Sequence, residues 1–131
     1  MSKEADGIVV VRGSSRIIEY AVCANGKMPA KEFIEGLPEA DQRKIAVLLH
    51  RMAEKGDVPN RQQFKPVRGK LFEFKKHQIR VFCFRNGDRW LLTNGYKKKT
   101  DRLDSGQIRW AETVMQEHLQ RERRKQKGRE T

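Results

Sequence analysis

The sequence predicts a domain of the α+β class, in which a small antiparallel sheet carries two N-terminal helices on one face and is followed by a C-terminal helix. Residues 71–100 are rich in β-branched and aromatic side chains and are interrupted by Asn86-Gly87, a pattern typical of consecutive antiparallel strands. Residues 38–55 and 104–119 each carry apolar side chains at helical spacing. Helices that cover one face of such a sheet give a layered fold.

The N-terminal half supplies one strand and two helices. Residues 8–11 are an apolar run that forms either a short strand or an ordered arm, and residues 16–23 are predicted to be the first full strand. Pro29 and Pro38 each open a helix, because proline is tolerated in a first helical turn. Gly56 suits the position just after the second helix. The buried stripe of that second helix is predicted to be Ile45, Leu48, Leu49 and Met52.

The C-terminal half supplies the other strands and the last helix. Residues 57–69 are predicted to be a connecting loop, and three strands follow it. Asp104 is placed to cap the final helix, with Gln107 positioned to complete a capping box. Residues 1–120 are therefore predicted to form a single domain, and residues 121–131, which have no apolar side chain, a basic tail that is a frayed helix end or disordered. The apolar stripe of the final helix consists of Ile108, Ala111, Met115 and Leu119.

The alternation of side chains sorts the three central strands into two unlike faces. A two-residue turn at Asn86-Gly87 places Arg85 opposite Asp88, and a second such turn is predicted at Lys76-His77. We expect helices to cover the apolar face and a polyanion to bind the other face. The apolar face carries Phe72, Phe74, Ile79, Val81, Cys83, Trp90 and Leu92. The basic, aromatic face carries Glu73, Lys75, Arg80, Phe82, Phe84, Arg89, Leu91, Thr93 and Lys97.

The net positive charge of the chain comes entirely from its second half. The formal net charge is +12 over 131 residues. Residues 1–60 hold nine Lys or Arg and nine Asp or Glu, whereas residues 61–131 hold twenty against eight. A field of this kind attracts nucleic acid or another acidic partner. A basic surface that is merely solvated is the alternative interpretation.

Cysteines and hydropathy exclude several classes of protein. Cys23 and Cys83 form no C-x-x-C pair, so we expect two buried free thiols rather than a metal or redox site. No clustered set of Asp and Glu suits Mg²⁺, and no cofactor is expected. No apolar run approaches the roughly 20 residues of a membrane span. Residues 1–6 lack a signal-peptide pattern, which predicts a cytoplasmic protein.

Four segments in order carry a resemblance to a known family. They are Phe-Ile-Glu-Gly-Leu-Pro-Glu at 33–39, Phe-Lys-Pro-Val-Arg-Gly-Lys-Leu-Phe-Glu-Phe at 64–74, Ile-Arg-Val-Phe-Cys-Phe at 79–84 and Leu-Leu-Thr-Asn-Gly-Tyr-Lys-Lys-Lys-Thr at 91–100. The series resembles the RelE/ParE toxin superfamily, and most closely its HigB-like, phage-derived branch. The resemblance covers roughly residues 16–119.

That resemblance implies a function and a set of partners. It implies the toxin of a type II toxin–antitoxin pair, many of which cut mRNA in the ribosomal A site. A small antitoxin, encoded next door and of helix-turn-helix type, is expected to bind and silence it. The ParE branch instead inhibits DNA gyrase and lacks the nuclease residues. The positions that match the nuclease residues of the family are Lys75, Arg80, Tyr96, Lys97 and Lys98.

The chemistry expected of these residues is RNA cleavage without a metal ion. A lysine whose pKa is lowered by like charges is a possible base, and an arginine clamps phosphate because it keeps its proton. The sequence departs from the family at Lys75, where many relatives carry Arg, and it has no His at the end of the last strand, so the acid and the base stay open. The residues expected to bind RNA are Arg61, Lys65, Arg68, Lys76, His77, Phe82, Phe84, Arg89, Lys99 and Arg102.

Other interpretations of the same residues remain. Arg80 is expected opposite Glu73, where a surface ion pair is a purely structural alternative worth well under about 1 kcal/mol. Tyr96 is expected on the side of Trp90 and Leu92, where a core role is at least as good an explanation as stacking on a base. The whole chain also fits a basic nucleic-acid-binding domain without toxicity.

Overall fold

The computed structural model describes residues 7–100, 102 and 104–130, and its elements are six strands and three helices over that range. The prediction for residues 1–6 lies outside the described residues. The elements in chain order are β1 (Val9–Arg12), β2 (Ile17–Tyr20), α1 (Pro29–Glu35), α2 (Glu39–Lys55), β3 (Phe64–Arg68), β4 (Leu71–Lys76), β5 (Ile79–Asn86), β6 (Arg89–Lys97) and α3 (Ser105–Glu130).

The strands form one mixed sheet in the order β1-β2-β6-β5-β4-β3. Strand β2 runs parallel to β6, whereas the other neighbouring pairs are antiparallel. The prediction of an antiparallel sheet was therefore wrong at one ladder. Parallel pairing of β2 with β6 is possible because the connection between them is long and includes α1 and α2.

Helices α1 and α2 pack on one face of the sheet. The larger buried cluster joins both helices to the apolar side chains of β2, β4, β5 and β6. Every member of the predicted apolar face lies in this cluster or packs against it. Cys83 is fully buried there, and Cys23 is buried on the opposite side of the sheet, so both are the buried free thiols that the sequence predicted.

Helix α3 covers the opposite face, which differs from the prediction of an open basic surface. A second buried cluster joins α3 to that face. Phe82 and Phe84 are about 1% exposed within it. The aromatic side chains of the second face therefore serve the protein's own core. The members that α3 contributes are Ile108, Ala111 and Val114, with Met115 and Leu119 packed against them.

The strand register differs from the prediction at both turns. The turn between β5 and β6 closes on the pair Asn86↔Arg89, and the turn between β4 and β5 closes on Lys76↔Ile79. Each turn therefore lies one residue later than predicted. The displacement moves the pairing along the strands without exchanging their faces, because opposed side chains still share a side.

Two segments and the tail also differ from expectation. Residues 64–68 form an edge strand rather than part of a loop, and Pro66 is tolerated there because an edge strand needs fewer donors. The first full strand is shorter than predicted, Ile17–Tyr20, and the apolar run before it forms β1. Helix α3 continues without a break to Glu130, so the predicted tail is helical over its described part. None of the described helices is long and apolar enough to cross a membrane.

Candidate functional site

Three adjacent strands bring polar side chains into a row at one end of the sheet. Lys75 on β4 pairs with Arg80 on β5, and Arg80 pairs with Tyr96 on β6. Paired residues on antiparallel strands project to the same side, with Cβ atoms about 4.5–5.5 Å apart. Lys75, Arg80 and Tyr96 are therefore neighbours on one face, next to the turn at His77, and we call these three residues the row.

Arg80 is the buried member of this row. Its side chain is about 6% exposed, and its Nη1 donates to the backbone carbonyls of His77 and, at 3.1 Å, Ile79. The expected pairing with Glu73 does not occur, because Glu73 pairs across the strands with Phe82 and its carboxylate lies 3.8 Å from Lys65 Nζ. The guanidinium is thus held by neutral acceptors, which orient it without cancelling its charge.

Tyr96 faces the site because of a bulge in β6. The ladder with β5 changes register between Val81↔Gly95 and Cys83↔Leu92, so two β6 residues oppose Phe82 alone. The extra residue turns Tyr96 away from the predicted side of Trp90, and its ring stacks on Phe82 with centroids 5.8 Å apart. Burial, and then the nearby carboxylates, raise the pKa of the Tyr96 phenol. The phenol therefore keeps its proton at neutral pH.

The same bulge separates Lys97 from the row. Lys97 pairs with Ile79, whose side chain belongs to the α1–α2 core, and its Nζ lies 3.9 Å from Asp41 Oδ2 on α2. The expectation that Lys75, Arg80 and Lys97 share one surface was wrong for Lys97. The physical reason is that one inserted residue reverses the facing of all later residues on a strand.

A cationic cavity of about 480 Å³ lies beside Tyr96, between the end of β6 and the start of α3. Lys98 is fixed at its mouth by a backbone hydrogen bond of 2.7 Å to the carbonyl of Gln78. The cavity is open to solvent and rich in positive charge. Its lining residues are Tyr96, Lys97, Lys98, Lys99, Thr100, Arg102, Asp104, Ser105 and Gln107.

A polar network that is buried at Thr93 and Asn94 adjoins the cavity, and the sequence analysis did not predict it. Thr93 Oγ1 donates to Asn94 Oδ1 at 2.8 Å, and Asn94 Nδ2 donates to Gln107 Oε1 at 3.2 Å. The Gln107 backbone amide donates in turn to Asp104 Oδ1 at 3.1 Å, which is the predicted helix cap. The signal that could have revealed the network is Thr93-Asn94, two polar residues inside an apolar strand.

The other predicted RNA-binding residues divide by position. Phe82 and Phe84 are buried beneath α3 and are not available to stack on bases, which corrects that expectation. Arg89 sits at the far end of β6, seven residues or about 23 Å from Tyr96. Its guanidinium is bound by Glu19 at 3.1 Å and Glu122 at 2.9 Å, and these ion pairs hold its pKa above the ordinary value. It is a structural residue and lies outside the site.

The remaining cations surround the row or lie along β3. Lys76, His77, Lys99 and Arg102 lie at the site end of the sheet, as does Arg61, in the turn before β3. His77 is exposed and has φ of 54°, and its carbonyl is one of the anchors of Arg80. Lys65 and Arg68 lie near Glu73 and Glu112, at 3.8 and 3.7 Å. Within the described residues, no three His, Cys, Asp or Glu side chains come together as a metal site.

The comparison with known proteins identifies one family. The sequence profile of the phage-derived Gp49-like proteins (DUF891) matches residues 32–116, which include the end of α1, all of α2, strands β3 to β6 and the first half of α3. The match contains the whole row and the cavity. No curated protein matches this chain.

Proposed function

We propose, since this chain belongs to the phage-derived Gp49-like family, that it is the toxin of a type II toxin–antitoxin pair and that it cuts mRNA on the ribosome. That family is toxin-like and part of the RelE/Gp49 superfamily. The observation that carries the proposal is the row of Lys75, Arg80 and Tyr96 beside the cationic cavity. The expected partners are the ribosome, its mRNA and an acidic antitoxin encoded next door.

The proposed reaction needs no metal ion or cofactor. The 2′-hydroxyl of one nucleotide attacks the adjacent phosphorus, so that the O2′–P bond forms and the P–O5′ bond breaks. The products are a 2′,3′-cyclic phosphate and a 5′-hydroxyl. One proton leaves the 2′-hydroxyl and one must reach O5′, while negative charge gathers on the non-bridging oxygens. Fixed cations aimed at those oxygens lower the barrier.

Each residue of the row has a role in this scheme. Arg80 holds the non-bridging oxygens, because its guanidinium is permanently charged and already oriented by two carbonyls. Lys75, its cross-strand neighbour, is assigned to the 2′-hydroxyl as proton acceptor, a step in which its neutral amine takes the proton and becomes the ammonium ion. Tyr96 keeps its proton at neutral pH and donates it to O5′, whose alkoxide is the stronger base. Lys98 and Lys99 at the cavity hold the flanking phosphates.

The first experiment is induction of the protein alone in a bacterial host. We expect growth to stop and mRNA to accumulate with 5′-hydroxyl ends inside codons, and we expect coexpression of the neighbouring gene to restore growth. Arrested growth with intact transcripts would contradict the proposal. Cleaved DNA in place of cleaved mRNA would support the ParE-like alternative, inhibition of gyrase.

The second experiment tests the row. We expect Arg80→Gln to lower the rate of mRNA cleavage by about 10²–10³, because one charge-stabilising donor is lost. Tyr96→Phe keeps the ring on Phe82 and removes only the hydroxyl, and we expect it to lower the rate by about 10². Arg43→Gln, an equal loss of charge at an exposed position of α2, is the matched control. Melting temperatures separate unfolding from lost chemistry, and full activity of both site variants would reject the row.

A further inference from the structure

The C-terminal end of α3 carries charge that the proposed site does not use. From Arg123 to Gly128 every residue is exposed, and four of these six residues are Lys or Arg. The preceding Glu122 turns to the sheet, where Arg89 binds it at 2.9 and 3.2 Å and His118 lies 3.2 Å away. We call residues 121–128 the basic arm.

The charges of the basic arm repel one another. Arg121 and Lys125 are four residues apart on the helix, as are Arg123 and Lys127, and like charges at this spacing destabilise a helix by about 0.2–0.5 kcal/mol per pair. No recorded ion pair between described side chains neutralises any of these four. The helix dipole favours cations only in the last turn, which includes Lys127. A polyanion would relieve the repulsion that the fold leaves in place.

The positions of the cations around the helix define the shape of that polyanion. At about 100° per residue, Arg121 and Lys125 share one side of the helix, and Arg123 and Lys127 share a side about 200° away. A flat anionic surface touches only one side of a helix. A groove between two phosphate backbones touches both sides at once, and the major groove of a double helix, about 12 Å wide in B-DNA, admits an α-helix.

The composition of the basic arm excludes an anionic membrane as its partner. A helix that lies on a membrane needs an apolar face opposite its cations. The described residues of the basic arm include no apolar side chain, since Gln126 and Gly128 are its only uncharged members. An anionic bilayer therefore offers the arm charge on one side and nothing on the other.

We propose that the basic arm is a second nucleic-acid-binding surface that enters the groove of a double helix and contacts both phosphate backbones, without reading sequence. It is distinct from the row and the cavity. Arg123 follows Ser105, at the cavity end of α3, by 18 residues, or about 27 Å of helix. One molecule would thus hold duplex at one end and the strand to be cut at the other, and binding by the arm does not depend on the proposed cleavage.

The test is a salt titration of duplex binding by the full chain. Fluorescence anisotropy follows a labelled 20-bp DNA duplex and an RNA duplex whose groove is widened by an internal loop, between about 50 and 300 mM salt. Each lost phosphate contact makes the slope of log K against log salt shallower by about 0.9. We expect Arg121→Gln with Lys125→Gln to reduce the slope by about 2, and Arg123→Gln with Lys127→Gln to reduce it equally. The duplex that binds more tightly identifies the preferred partner of the arm as DNA or RNA.

Matched variants make the outcome decisive. Arg51→Gln with Lys55→Gln removes two exposed cations from α2 and leaves the slope unchanged if the arm is the binding surface. If every double substitution reduced the slope equally, the duplex would be attracted to net charge alone. If only one of the two arm substitutions reduced the slope, the arm would contact the duplex with one side only. Either result overturns the proposal, as would tighter binding to phosphatidylserine vesicles than to duplex.

Discussion

At the scale of single residues, Gly95 lies between the bulge of β6 and Tyr96. It pairs with Val81 on β5, and the ring of Phe33 from α1 packs directly over its backbone. A methyl group at this position would overlap that ring and come within 3.0 Å of the carbonyl of Arg80. The glycine therefore permits both the seating of α1 and the placement of the row.

Gly95→Ala should destabilise the fold by about 1–3 kcal/mol, because overpacking forces neighbours apart. The free energy of unfolding in urea measures the loss. Phe33→Leu, which shortens the overlapping side chain, should recover part of the loss when it is combined with Gly95→Ala. Strictly additive losses in this double-mutant cycle would show that the ring and the methyl group do not meet.

His118 is a second residue whose surroundings predict a measurable effect. The Val22 amide donates to its Nδ1 at 3.0 Å, so the proton of the neutral ring lies on Nε2, facing Glu122. Burial is the largest influence and lowers the pKa of His118 below 6.5, although Glu122 and Glu19 oppose it and Arg89 assists it. The unfolded chain therefore binds a proton at a higher pH than the folded chain does.

This shift should make the protein less stable as the pH falls below about 6.5, and the loss should end below the pKa of the folded state. The comparison is with His118→Gln, which removes the titrating group and retains an oxygen to accept from Val22. We expect the stability of the native protein relative to the variant to decrease between pH 7.5 and 5. A relative increase would mean that Glu122 binds a charged imidazole in the folded protein.

At the scale of elements, the Gly-Ser-Ser segment between β1 and β2 fastens the end of α2. The amides of Ser15 and Arg16 donate to the carbonyl of Ala53 at 2.9 and 2.8 Å, and Ser15 Oγ donates to the carbonyl of Glu54. These bonds satisfy acceptors that a helix end otherwise leaves unpaired. Gly13 stands so close to Ala53 that a Cβ atom would overlap its carbonyl group.

Gly13→Ala should therefore lower the free energy of unfolding by about 1–3 kcal/mol, since either the segment or the helix end must move. Gly128→Ala is the matched control, because a Cβ atom there has no heavy atom within 4 Å and the helix gains about 0.5–1 kcal/mol of propensity. Thermal melting followed by circular dichroism measures both. An unchanged midpoint for Gly13→Ala would show that the contact is not close in solution.

The elements also show what the sequence can predict of this fold. Alternation in β4 and β5 identified the apolar face correctly, because side-chain period survives a displaced turn. The bulge at Thr93-Asn94 was not predictable, because an inserted residue is visible only against the partner strand. Lys97 was therefore assigned to the wrong side. Edge strand β3 was hidden by Pro66, which sequence rules associate with loops.

At the scale of the whole molecule, the question that sequence could not decide is what covers the second face of the sheet. The apolar stripe of α3 fits either face, and the cations between the aromatic residues indicated an open surface. The structure places α3 over Leu71, Phe82, Phe84 and Leu91, all at most about 1% exposed. The proposed nucleic-acid site lies instead beside the cavity where the first turn of α3 meets the end of β6.

This arrangement predicts opposite outcomes for two truncations. A chain that stops after Glu122 keeps the α3 cover and the ion pair with Arg89, and it should melt within a few degrees of the full chain. A chain that stops after Asp104 exposes four large apolar side chains, each worth about 1.5–3 kcal/mol of burial, which together rival the 5–15 kcal/mol that keeps a typical domain folded. We expect it to lose its cooperative melting transition and to bind the dye ANS. Cooperative folding of the shorter chain would mean that α3 rests on the sheet without completing its core.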